Sequence, residues 1–164
     1  MVAVRSTDTP EVAFREAEPG DRLFVARLAE ASFGHLGLGY GALLGSWIGA
    51  PEVATILATA GAPVGLAMLG LYEIEGVVRA DLLAVAVSPE ARGRGIGRAL
   101  VERVIALAER CRIERGAREL RLSVAEDNAA ARALFAHAGF TPAPDEASHY
   151  ENGQVALRLR RLLG

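Results

Sequence analysis

Val85-Ala86-Val87-Ser88-Pro89-Glu90-Ala91-Arg92-Gly93-Arg94-Gly95-Ile96-Gly97-Arg98 is the stretch on which the fold turns. Val85 to Val87 closes an apolar run from Val77 that reads as a buried strand, and Ser88-Pro89 ends it. Gly93, Gly95 and Gly97 alternate through the following loop, and an apolar helical period opens at Ile96. The first N–H groups of a helix have no partner inside it and carry partial positive charge. Glycines let an anion come close to such groups, and Arg92, Arg94 and Arg98 add charge around them. A strand, a glycine loop and a helix in this order form a cradle for a pyrophosphate.

Two common cradles do not fit. A Walker loop needs Gly-Lys-Ser/Thr, and the chain contains no lysine: its 18 basic residues are all arginine. The dinucleotide fingerprint G-x-G-x-x-G fails in both registers, because Arg98 and Leu100 stand where the third glycine belongs. The absence of lysine also removes Schiff-base chemistry.

Working outward, the helix from 96 to about 111 puts Ile96, Leu100, Val104, Leu107 and Cys111 on one face. Leu120, Leu122 and Val124 alternate with Arg121 and Ser123 as a half-buried strand. Asp127 or Asn128 caps a second helix, which Gly139 stops. Asn152-Gly153 is a hairpin turn between strands near 147–151 and 154–161.

Upstream, Val53 to Tyr72 is twenty residues without a charge, long enough to span a bilayer. Ala60-Gly61-Ala62-Pro63 interrupts it as a turn, so it reads as a buried hairpin covered on both faces. A turn at Glu75-Gly76 leads into the strand Val77 to Val87. The chain begins with a loose tail over 1–11, a short strand Val12 to Arg15, and a helix capped by Asp21 and carrying Leu23 to Phe33. Residues 34–49 hold six glycines and read as a mobile loop with a short, marginal helix.

The order β-α-α-β-β-β-α-β-α-β-β describes an α/β protein with a mixed sheet and helices on both faces. At 164 residues the chain is one domain over 1–164, able to bury roughly 17,000 Å² without a disulfide or metal. A net charge of −2 gives no electrostatic basis for nucleic-acid binding. One cysteine and three scattered histidines show no metal-ligand spacing. The first residues have no secretory pattern, so a cytoplasmic protein without a membrane segment is expected. Oligomeric state is not written in the sequence, and a homodimer is the commonest homo-oligomer.

The pattern Arg92-x-x-Gly95-x-Gly97 resembles the coenzyme A loop of the GNAT superfamily of N-acetyltransferases. A second match reads Leu122-x-Val124-x-x-x-Asn128-x-x-Ala131-x-x-Leu134-Phe135-x-x-x-Gly139-Phe140, and the resemblance covers roughly 12–161. It implies a GNAT-like acyl-CoA N-acyltransferase fold with acetyl-CoA as cosubstrate. Main-chain groups of Val85 and Val87 would bond the pantetheine arm, as an added strand bonds a sheet edge. The amides of Gly93, Arg94, Gly95, Ile96, Gly97 and Arg98 would hold the pyrophosphate, and Asn128 would touch the cofactor. Independently of the resemblance, Asn128 reads as a helix cap.

The implied reaction is attack of an amine, from a small molecule or a peptide N-terminus, on the acetyl thioester. Freeing a lysine-like ammonium of pKa near 10.4 at pH 7 costs roughly 4–5 kcal/mol, whereas reprotonating a thiolate of pKa near 8.5 involves about 2 kcal/mol. A general base therefore matters more than a general acid for so basic an acceptor. The sequence departs from some family branches: Phe135 stands where a tyrosine acid often lies, and Ser123 where one branch has a glutamate base. Asp81, eleven residues before Arg92, matches the acidic base of the histone-acetylating branch; it also reads as an ordinary aspartate paired with an arginine. Tyr150 resembles a hairpin tyrosine that lines the acceptor site, as acid or acceptor contact, and reads equally as a cross-strand aromatic. A non-catalytic acyl-CoA-binding module of the same fold is the alternative that Phe135 and Ser123 leave open.

Overall fold

The computed structural model describes residues 9–143 and 148–164. Most of the expected N-terminal tail lies outside them. Eight strands form one sheet in the order β1-β2-β3-β4-β5-β8-β6, with β7 pairing on β8. The strands are β1 (Ala13–Glu16), β2 (Val53–Ala60), β3 (Ala62–Ile74), β4 (Val77–Val87), β5 (Glu119–Ala125), β6 (Thr141–Pro142), β7 (Ser148–His149) and β8 (Val155–Leu162). The helices are α1 (Arg22–Phe33), α2 (Tyr40–Ser46), α3 (Ile96–Arg115) and α4 (Ala129–His137). Neighbouring strands run antiparallel except β4 and β5, which are parallel.

The uncharged stretch is the β2–β3 hairpin, as its turn predicts. Both of its faces are buried, because helices cover the sheet on both sides. Ile56, Ala58, Ala67 and Leu69 pack with Leu100 and Val104 of α3, while Leu57, Leu66 and Met68 pack with Val25 and Leu28 of α1. No helix among the described residues is long and apolar enough to cross a membrane.

β4 serves both layers. Ala80 and Leu82 belong to the α3 core, whereas Ala84 and Ala86 belong to the α1 core. The switch occurs at a bulge: Leu82 pairs with Leu69 and Ala84 with Met68, so Leu83 is the extra residue. One added residue exchanges the two faces of a strand. The bulge turns Asp81 away from α3, toward the side that α1 and α2 partly cover.

The glycine-rich segment contains a real helix. In α2, a Cβ on Gly41 would meet the Ala26 carbonyl oxygen at 2.5 Å, and one on Gly45 would meet the Ala26 Cβ at 3.2 Å. These glycines let α1 and α2 lie in close contact, and Glu30 of α1 accepts the Gly41 N–H at 3.0 Å. Two details differ from the sequence reading, and one alternative that it left open is settled. α3 runs on to Arg115, because its last turn is charged and the apolar period fades before the helix does; Gly116 then closes it at φ 78°. Asn128, not Asp127, caps α4, accepting the Ala131 N–H at 3.1 Å. The short strand β6 has no counterpart in the sequence reading, since its Thr-Pro sequence carries no strand pattern.

Arg15 of β1 clasps Asp21 at the entry to α1 through two bonds of 2.7 and 2.9 Å, and Asp21 also accepts the Glu18 N–H. The guanidinium bonds hold the Asp21 carboxyl below its ordinary value. A depressed pKa stabilises the fold above the unfolded value near 4 and loses that contribution as pH falls through the folded value. Asp21→Asn is therefore expected to cost about 1–2 kcal/mol at pH 7. The deficit should shrink as pH falls from the unfolded value near 4 through the lower folded value, which denaturant titrations across pH would detect.

Candidate active site

β4 and β5 are partners only where they start together. Their register holds Ala80 opposite Leu120 and Asp81 opposite Arg121, and pairing ends there. Past that point β4 remains bonded on its other side to β3 as far as Val87. The Ser88 N–H donates to the Val64 carbonyl of β3. Main-chain groups alternate sides along a strand, so Ala86 also faces β3 while Val85 and Val87 face the open edge. The Val87 carbonyl is met there by Arg92 Nε at 3.2 Å.

A cleft of about 550 Å³ fills this gap, lined by Val85, Val87, Arg92, Gly93, Gly95, Gly97 and Asn128 among others. The first backbone bond of α3 runs from Ala99 N–H to the Gly95 carbonyl. Among the described residues no acceptor is bonded to the amides from Gly93 to Arg98. Gly93 and Gly95 adopt φ of 78° and 74°, a region that L side chains resist. Gly97 differs: its backbone is helical, and a Cβ there would lie 3.7 Å from Leu134 Cδ2 and 3.8 Å from Val87 Cγ2. It stands between the two walls of the cleft.

The three loop arginines part company. Arg92 lines the cleft. Arg94 donates from Nη2 to the Pro10 carbonyl at 3.1 Å, and Arg98 pairs with Glu102 at 3.2 Å along the exposed flank of α3. The positive character of the loop thus comes from main-chain amides with one guanidinium beside them.

A second cleft of about 240 Å³ adjoins the first, with Phe33 lining both. It brings together Asp81 of β4, Ser123 of β5, Arg158 of β8, and Tyr40 and Tyr150 from opposite sides. The turn after β7 closes its rim: Glu151 accepts the Leu38 N–H at 2.9 Å, and the Asn152 N–H donates to the Leu36 carbonyl at 3.2 Å. Burial pushes the Tyr150 hydroxyl above its ordinary value, nearby Tyr40 adds to this, and Arg158 opposes it. Tyr40 is raised too, by burial and then by Glu151. The cleft therefore holds two phenols that keep their protons at neutral pH.

Phe135 is buried edge-on against Phe140, 5.8 Å between ring centres, so the position where a tyrosine acid often lies belongs to the core here. Trp47 also packs in the α1 core, while His35 and His137 are exposed. Arg158 and Glu151 were not singled out from sequence. Their roles depend on strand register and loop apposition, which no local pattern announces.

A sheet that parts beside a glycine loop, with a helix N-terminus at its mouth and a charged cleft beyond, defines a class of proteins that hold a long phosphorylated carrier next to an acceptor. The chain belongs to the acetyltransferase (GNAT) family, whose model matches residues 24–140. It is 42% identical over 62 residues to a mycothiol acetyltransferase of Beutenbergia cavernae, a match covering 38% of this chain and 20% of that protein. The chain thus spans about a fifth of that relative's length. Among solved structures it is similar to Ard1 from Thermoplasma volcanium, with TM-score 0.74 and 25% identity, covering 93% of this chain and 98% of that one. Arabidopsis thaliana NAA60 in complex with acetyl-CoA gives TM-score 0.76 at 13% identity, covering 93% and 98%.

The two kinds of loop glycine should respond differently to a methyl group. Gly95→Ala is expected to lower stability by about 1 kcal/mol through its left-handed backbone. Gly97→Ala should change it by less than about 0.5 kcal/mol, since ordinary helical backbone and contact distances await the new atom. Denaturant titration of the two variants without ligand checks the contrast.

Proposed function

We propose that the chain is an acetyl-CoA-dependent N-acetyltransferase that moves the acetyl group directly to a primary amine of a small molecule or peptide N-terminus. The observation that carries this reading is the row of unbonded amides from Gly93 to Arg98 opening onto the gap between β4 and β5. Such a row suits the diphosphate of a carrier whose pantetheine arm runs along an unpaired strand edge.

In this reading the amides of 93–98 and the Arg92 side chain hold the diphosphate, and Gly97 leaves room for it. The Val85 and Val87 main chain bonds the arm. Asn128 acts at the opposite wall, where its side-chain oxygen already serves as the α4 cap. An amide near Val87 would polarise the thioester carbonyl as charge develops on its oxygen. The small cleft next to it takes the acceptor. Asp81 draws the proton from the incoming ammonium, and Tyr150, whose raised pKa keeps it protonated, returns one to the departing thiolate.

Acetyl-CoA is expected to raise the melting temperature of the protein. Gly97→Leu should abolish that rise while leaving the unliganded melting temperature nearly unchanged, because the new side chain enters the cleft rather than the core. A retained rise would place the carrier elsewhere. Asp81→Asn should reduce turnover about 100-fold at pH 7 but less than about 10-fold at pH 9, where more acceptor is already deprotonated. Equal losses at both values would make Asp81 structural. Tyr150→Phe is expected to lower turnover or raise the acceptor KM, and a variant unchanged in both would remove Tyr150 from the reaction.

A further inference from the structure

On the side of the sheet away from α3 and α4, α1 and α2 pack over β2, β3 and the far half of β4. The adjoining strands point arginines to that side: Arg121 from β5, and Arg158 and Arg160 from β8, alternating with the core residues Leu120, Leu122, Leu157 and Leu159. Glu119 takes two of them, pairing with Arg121 and with Arg160 at 3.8 Å. Among the described residues Arg158 has no carboxylate. Its Nη1 donates to Ser123 Oγ at 2.9 Å, and its Nε is buried without an acceptor.

Ser123 stands directly opposite Arg158 across the β5–β8 pair, so the serine fixes the guanidinium rather than neutralising it. A partly buried guanidinium with no carboxylate in contact carries a desolvation cost. An anion entering the cleft offsets that cost and gains charge-assisted hydrogen bonds. Asp81 lines the same cleft from β4, on the other side of β5. One molecule can therefore meet a carboxylate from one wall and a guanidinium from the other. The volume of about 240 Å³ suits a small molecule rather than a long peptide.

We infer that the acceptor is a small amine carrying its own carboxylate, an amino acid or close analogue, with Arg158 holding the carboxylate while the amino group lies toward β4. This rests on the transferase reading above and gives it a substrate class. Arg158 is a specificity residue here, and Ser123 positions it.

The test uses matched acceptors, α- and ω-amino acids supplied as free acids and as their carboxamides. Thiol release from acetyl-CoA and calorimetric binding to the CoA-saturated protein are both measured. Free acids should exceed their carboxamides on the order of 10- to 100-fold in kcat/KM, chiefly through KM, and in affinity. Arg158→Gln should erase the preference and Arg158→Lys should retain part of it; the wild-type ratio stands alone if either variant fails to fold. Acids bound selectively without thiol release would support the anion site and count against the transferase. Thiol release or binding that treats acids and amides alike, or a panel in which no acid binds or reacts, would overturn the inference, the first of these leaving the transferase intact.

Discussion

The site depends on the interruption between β4 and β5. Two parallel strands that begin as hydrogen-bonded neighbours stop pairing after Asp81 and Arg121. A buried strand edge without a partner is ordinarily costly, because each unsatisfied N–H or C=O is a lost hydrogen bond. Here β3 holds β4 rigidly from the other side, and β8 does the same for β5 along its whole length. The gap can persist because both its banks are anchored. α3 then begins at its head, so an unpaired strand edge and unpaired helix amides meet at one opening.

Much of this was legible in the sequence because it is local. The strand from Val77 to Val87, the alternating glycines and the helix from Ile96 lie within a short contiguous run, where turn chemistry and periodicity act directly. The capping asparagine and the hairpin turns are equally local. The family resemblance also drew attention to Asp81 and Tyr150, which the fold gathers into one cleft.

What the sequence withheld is long-range. Arg158 is one of 18 basic residues, all arginine, and nothing near it marks it out; only its register against Ser123 does. Glu151 reads as a turn residue until the loop before α2 comes to lie against it. The glycines at 41 and 45 suggest looseness on intrinsic propensity, whereas their absent side chains are what allow two helices to touch. In the same way Arg94 and Arg98 look like phosphate ligands by position, although their side chains are engaged with Pro10 and Glu102.

The bulge at Leu83 has an evolutionary corollary. Were the extra residue displaced to the N-terminal side of Asp81, that carboxylate would rotate into the hydrocarbon layer of Leu100 and Val104, and Leu82 would emerge on the opposite surface. An insertion or deletion in β4 thus re-aims the side chains between it and the bulge, Asp81 among them, even when it falls several residues away. The strand behaves as a camshaft, whose phase along its length decides which side chains are offered to the cleft and which to the core.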